Sequence, residues 1–139
     1  LKTITVTPRL SVAGQIDVAD VADIAAAGFR ILVNNRPDGE AAGQPASSAI
    51  AAAARESGLE YIEYPVGPTD FPGPDPVHYG EMLDNASGPV LAFCRSGTRS
   101  ISLWVATRPR EELPEALERA RSLGFDLSGL GRSLMARDL

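Results

Sequence analysis

Apolar residues along this chain fall into short runs, and the spacing inside those runs shifts between two and about 3.6 residues. Residues 3–6 (Thr-Ile-Thr-Val) and 10–13 (Leu-Ser-Val-Ala) read as short strands around Pro8. Val18, Val21, Ile24 and Ala25 recur at helical spacing, which predicts a helix with Asp17 as N-cap and Gly28 just past its end. Arg30-Ile31-Leu32-Val33-Asn34 then reads as a buried strand. It runs into a polar Pro- and Gly-bearing loop, Asn35-Arg36-Pro37-Asp38-Gly39-Glu40. An Ala-rich helix is expected over about 46–57, closed by Gly58, and residues 59–66 alternate like a strand.

Residues 67–76 hold four prolines, two glycines and two aspartates, the composition of a long ordered loop or a mobile lid. Asp75-Pro76 has the form of an N-cap and first-turn proline for a helix reaching about Asp84. Gly88-Pro89 turns the chain into the apolar strand Val90-Leu91-Ala92-Phe93, which Cys94 terminates. The stretch 100–107 is apolar enough for a central helix that Pro109 stops, and 114–123 reads as a last amphipathic helix before Gly124. Strands alternating with helices predict one α/β domain over residues 1–139, with a mainly parallel sheet flanked by helices.

Composition narrows the function classes. Hydrophobic residues make up 44% and charged residues 22% of the 139, which is ordinary globular chemistry. No apolar run approaches the ~20 residues that span a bilayer, so no membrane role is expected. The net charge of -5 disfavours a nucleic-acid binder. One cysteine and one histidine, His78, cannot make an internal disulfide or a Cys- or His-rich metal site. Leu1-Lys2-Thr3 leads directly into strand-like sequence without the pattern of a secretory leader, and a cytoplasmic location is the expectation.

Chemistry concentrates in Cys94-Arg95-Ser96-Gly97-Thr98-Arg99. In open α/β sheets ligands bind beyond the C-terminal ends of the strands. A loop between such a strand and a helix turns successive N–H groups, and the positive end of the helix, toward one point in front of the sulfur. Arg95 or Arg99 can add a guanidinium suited to oxyanions, and Gly97 permits the tight turn. Cysteines in such fields ionise readily and act as nucleophiles. The expected anion-binding set is therefore Arg95, Ser96, Gly97, Thr98 and Ser100 around Cys94 and Arg99. Arg36 can join it if the strand before it neighbours the strand before Cys94. Such a site needs neither metal nor organic cofactor.

Phe93 through Ser100, with Leu103-Trp104, resembles the phosphatase-like (DUF442) domain of the β-lactamase-hydrolase-like proteins. Gly28-Phe29-Arg30-Ile31, Asn34 through Glu40, Gln44-Pro45 and Gly124 through Leu130 extend the likeness over nearly the whole chain. The resemblance implies a protein-tyrosine-phosphatase-like fold. It also implies an association with sulfide and persulfide metabolism, sometimes beside a metallo-β-lactamase-fold persulfide enzyme as partner.

Phosphatases of this architecture place five residues between Cys and Arg, whereas four separate Cys94 from Arg99. The shorter loop resembles that of rhodaneses, where cysteine carries sulfane sulfur as a persulfide. Sulfur transfer from thiosulfate or a persulfide is therefore the leading expectation. A phosphoester hydrolase working through phosphocysteine is the alternative, and a non-catalytic anion-binding module is the third. A phosphatase needs an acid for its leaving group, for which Asp70 is the first candidate and Asp75 the second.

Overall fold

The computed structural model describes residues 1–136. Five strands form one sheet: β1 (Thr3–Thr7), β2 (Leu10–Ala13), β3 (Ile31–Asn34), β4 (Glu60–Glu63) and β5 (Val90–Phe93). Their order is β1-β2-β5-β3-β4; β1 runs antiparallel to β2, and all other neighbours are parallel. β3 and β5 are thus adjacent, with Asn34 opposite Phe93, so the loops carrying Arg36 and Cys94 emerge side by side.

The helices are α1 (Asp20–Ala26), α2 (Ser47–Glu56), α3 (Pro76–Asn85), α4 (Thr98–Ala106), α5 (Leu113–Ser122) and α6 (Ser128–Ala136), with a 3-10 turn at Arg110–Glu112. Alternation along each strand splits the core in two. Ile31, Val33, Val90 and Ala92 face Leu83, Ile101, Val105, Ala116 and Leu134 of α3 to α6. Leu32, Leu91 and Phe93 face Ile24, Ile50 and Ala54 of α1 and α2. The four residues of β5 are fully enclosed, which accounts for their unbroken apolar run. Among the described residues no helix is long and apolar enough to cross a membrane.

Several local expectations need correction. Asp17 does not cap α1; its own N–H donates to Asp20 Oδ2 at 2.8 Å, and the helix starts three residues later. β4 stops at Glu63 because Pro65 supplies no N–H to a ladder. The chain still follows β3, through Tyr64 N–H to the Asn34 carbonyl at 3.0 Å and Val66 N–H to that of Asn35 at 3.1 Å. The helix α6 was not anticipated from the hydrophobic pattern. Gly129 and Gly131 weaken its intrinsic propensity, but Gly131 lets α6 approach α5, where a Cβ would come within 2.7 Å of Leu117. Arg119, expected on a solvated helix face, instead donates to the carbonyls of Val6 (2.9 Å) and Thr5 (3.0 Å).

Candidate active site

Cys94 follows β5 directly and is 1% exposed. Its N–H donates to the Ala13 carbonyl at 3.3 Å, and the Arg95 carbonyl accepts from Gln15 N–H at 3.2 Å. The exit of β2 therefore holds the Cys94 loop from behind. Gly14 suits this close approach: a Cβ there would lie 3.1 Å from the Arg95 carbonyl oxygen.

The loop turns at Gly97, whose φ of +91° is the left-handed region that favours glycine. Gly97 N–H donates to Cys94 Sγ at 3.1 Å, and α4 begins at the next residue. The sulfur thus sits at the N-terminal end of a nine-residue helix and accepts a backbone donor. Ser96 Oγ and Thr98 Oγ1 lie 3.0 Å apart on the exposed side of the loop.

Arg99 is held by a carboxylate. Its Nη1 donates to Glu40 Oε2 at 2.7 Å and its Nη2 to Glu40 Oε1 at 2.8 Å, while Nη1 also donates to the Val66 carbonyl at 3.0 Å. Glu40 is gripped in turn by Arg36, whose Nε donates to Oε1 at 2.8 Å. Arg36 is 5% exposed and reaches Gln15 Oε1 at 2.9 Å. The Arg99 hydrogen bonds, aided by those of Arg36 and opposed by desolvation, lower the Glu40 carboxyl from 4.5 to about 2. Glu40 raises the Arg99 value, and the Cys94 sulfur acts in the same direction, as expected for neighbours across a small site. Arg36 accordingly sits behind Arg99, bonded to the residue that orients it.

Beneath the loop lies a buried polar network. The fully buried Asn35 accepts from Ser100 Oγ at 2.8 Å, and its Nδ2 donates to the Tyr64 carbonyl (3.0 Å) and the Tyr79 hydroxyl (3.3 Å). Its backbone N–H meets the Phe93 carbonyl at 2.8 Å. Ser100 therefore directs its proton to Asn35. Burial pushes the Tyr79 phenol up, so it stays a neutral hydrogen-bonding group.

The Pro-rich segment is moored to this network. Tyr64 stacks on Tyr79 with ring centroids 4.4 Å apart; its hydroxyl donates to the Pro72 carbonyl at 2.8 Å and accepts from Asp75 N–H at 3.1 Å. Within it, Asp70 Oδ1 accepts from Gly67 N–H at 2.6 Å, next to the Val66 carbonyl that binds Arg99. Asp75 caps α3 by accepting from His78 N–H at 3.2 Å. The Arg95 side chain is exposed and makes no hydrogen bond or ion pair among the described residues.

Residues 2–110 match the phosphatase-like domain of the Beta-lactamase hydrolase-like protein family. The chain belongs to this family. It is 34% identical to the Beta-lactamase hydrolase-like protein of Agrobacterium fabrum over 137 residues, covering 96% of this chain and 32% of that protein. The chain thus spans about a third of the length of that curated relative. A candidate phosphatase from Neisseria meningitidis is 30% identical, with a TM-score of 0.80 and coverage of 94% of both chains. PTPMT1, solved in complex with PI(5)P, shares the fold at 13% identity and a TM-score of 0.67, with 99% of each chain covered. The fold is protein-tyrosine-phosphatase-like.

Sequence reasoning noted Asn35 and Glu40 only as parts of a loop, and it passed over Gln15 and Tyr64. The Asn34–Glu40 motif carried the signal for two of them: an acid four residues beyond an arginine, following a strand that neighbours the nucleophile's. Gln15 and Tyr64 carry no comparable mark. Among the described residues no cluster of His, Cys, Asp and Glu could hold a metal ion.

Proposed function

We propose that this domain is a sulfurtransferase that carries sulfane sulfur on Cys94. The observation that carries the reading is the short loop, in which four residues separate Cys94 from Arg99. A smaller ring suits a smaller passenger than tetrahedral phosphate. The Cys94 thiolate attacks the sulfane sulfur of thiosulfate or of a persulfide. An S–S bond forms at Cys94, the donor's S–S bond breaks, and sulfite or a thiolate leaves with the electron pair. A thiophilic acceptor then attacks the outer sulfur and returns Cys94 as thiolate.

Two features support this assignment. Glu40 and Val66 occupy three of the five Arg99 N–H donors, which leaves two for the anion or the leaving group. Asp70 and Asp75 are both engaged with backbone N–H groups, and sulfur transfer needs no proton for a leaving group as good as sulfite. A metallo-β-lactamase-fold persulfide enzyme as acceptor is part of the proposal and rests on the family resemblance alone.

Phosphoester hydrolysis is the second reading. It is favoured by the position of Asp70 in the segment whose Val66 carbonyl binds Arg99, and PTPMT1 with its phosphoester ligand has the same fold. Here Cys94 would attack phosphorus, giving phosphocysteine, while Asp70 protonates the departing alkoxide.

Incubation with thiosulfate followed by intact mass measurement separates the two. Sulfur transfer requires a gain of one sulfur atom that is absent in Cys94→Ser and is removed by cyanide as thiocyanate. Asp70→Asn should leave that exchange unchanged. If no such adduct forms and wild type instead releases phosphate from an aryl phosphate in an Asp70-dependent manner, the second reading replaces the first.

A further inference from the structure

Three arginines lie just beyond the C-terminal ends of β3 and β5, and two have their bonding assigned. Arg36 is buried against Glu40 and Gln15, and Arg99 is fastened to Glu40 and the Val66 carbonyl. Arg95, the residue next to the nucleophile, has an exposed side chain with no protein partner among the described residues. The chain holds 18 acidic residues, so an unneutralised guanidinium at this position runs against its overall charge. Its backbone is fixed, because the Arg95 carbonyl accepts from Gln15 N–H at 3.2 Å and packs over Gly14. The side chain therefore leaves a rigid base into solvent, one residue beyond Cys94 on a loop whose Ser96 and Thr98 are also exposed.

We propose that Arg95 is a specificity residue that binds a second anionic group on the substrate, several bonds away from the atom that reacts at Cys94. The favoured class is an organic sulfur donor or acceptor bearing a carboxylate, rather than a bare inorganic anion. This deepens the sulfurtransferase reading and rests on it for the identity of the substrate. The rim contact itself can be measured independently of that chemistry.

Methanethiosulfonates provide the probe. The Cys94 thiolate attacks their sulfenyl sulfur, forms a Cys94–S–S–R disulfide and expels methanesulfinate, with no other oxidant or reductant required. The rates of a 2-sulfonatoethyl reagent and of the uncharged ethyl reagent are compared in wild type, Arg95→Gln and Arg95→Lys. The expected result is a fall of about tenfold in the sulfonate-to-ethyl rate ratio in Arg95→Gln, with partial retention in Arg95→Lys. The ethyl rate of each variant normalises for any change in Cys94 reactivity, so the ratio carries the test.

A ratio that is equal in wild type and Arg95→Gln overturns the proposal. So does an equal loss of both rates, since that reports a disturbed loop. Persulfide formation on Cys94 is scored separately. A missing persulfide with the ratio change intact removes sulfur transfer alone; a flat ratio with normal persulfide removes the Arg95 role alone.

Discussion

Two consecutive asparagines at the end of β3 build two different polar clusters, one on each face of the sheet. Asn35 points toward α3 and α4, where it meets Ser100, Tyr79 and the loop that carries Cys94. Asn34 points toward α2. There its Nδ2 donates to the Tyr61 hydroxyl at 3.0 Å, Tyr61 and Ser47 lie 2.6 Å apart, and Ser47 donates to Glu63. Both clusters are well bonded; the Asn34 cluster reaches the surface at Glu63. They differ in what they support. The Asn34 cluster faces away from Cys94, with Asp38 accepting from Ser47 N–H at 2.8 Å and Asn34 Oδ1 accepting from Arg36 N–H at 2.8 Å, and no nucleophile lies in front of it. The Asn35 cluster sits under a sulfur, a helix N-terminus and a guanidinium whose carboxylate partner leaves donors open. Buried polarity alone does not make a site; a group aimed outward, with its neighbours already satisfied, does.

The largest separation between the two faces should come from Glu40→Gln. Losing the charge that orients Arg99 is expected to lower turnover at Cys94 by roughly tenfold to a hundredfold, because small misplacements of catalytic groups are costly. Steady-state kinetics with thiosulfate and cyanide would measure it, and an unchanged rate would mean that Arg99 needs no such clamp. The paired substitutions Asn35→Ala and Asn34→Ala come next. Each should destabilise the fold by about 1–3 kcal/mol in urea unfolding, since each strands buried partners. Asn35→Ala should also slow alkylation of Cys94 by iodoacetamide, and by more than Asn34→Ala does.

Acid offers a third comparison. The folded value of Glu40, about 2, lies below its ordinary 4.5. Its contribution to stability is therefore fully present above about pH 4.5 and is lost as the pH falls toward and through about 2. Between about pH 5 and pH 3 the urea midpoint of wild type should fall by more than that of Glu40→Gln. The smallest effect belongs to Tyr61→Phe. It should cost about 1 kcal/mol and leave turnover at Cys94 unchanged.

The shape of the Cys94 loop was legible in sequence because a strand, Cys94, Gly97 and a helix are contiguous there. Local order alone gives the turn, the amide donor and the helix end. The mainly parallel sheet was equally legible from alternating runs. What lay hidden depends on residues distant along the chain. Glu40 reaches Arg99 only because β3 and β5 are neighbours, and Gln15 reaches Arg95 only because β2 flanks β5 on the other side. Ser100, expected in the anion-binding set, gives its proton to Asn35, which the fold sets beside it. The helix α6 was masked by its glycines, whose value appears only against Leu117.

The grip of Arg119 on β1 bears on solution behaviour. β1 ends one side of the sheet, and an outermost strand offers unpaired backbone groups to any passing chain. The ladder with β2 is irregular between Thr5 and Thr7, and the guanidinium takes the Thr5 and Val6 carbonyls at that irregularity. A foreign strand seeking to extend the sheet there meets a bent backbone, two occupied acceptors and a positive charge. The same arginine that fastens α5 thereby works as a guard against aggregation.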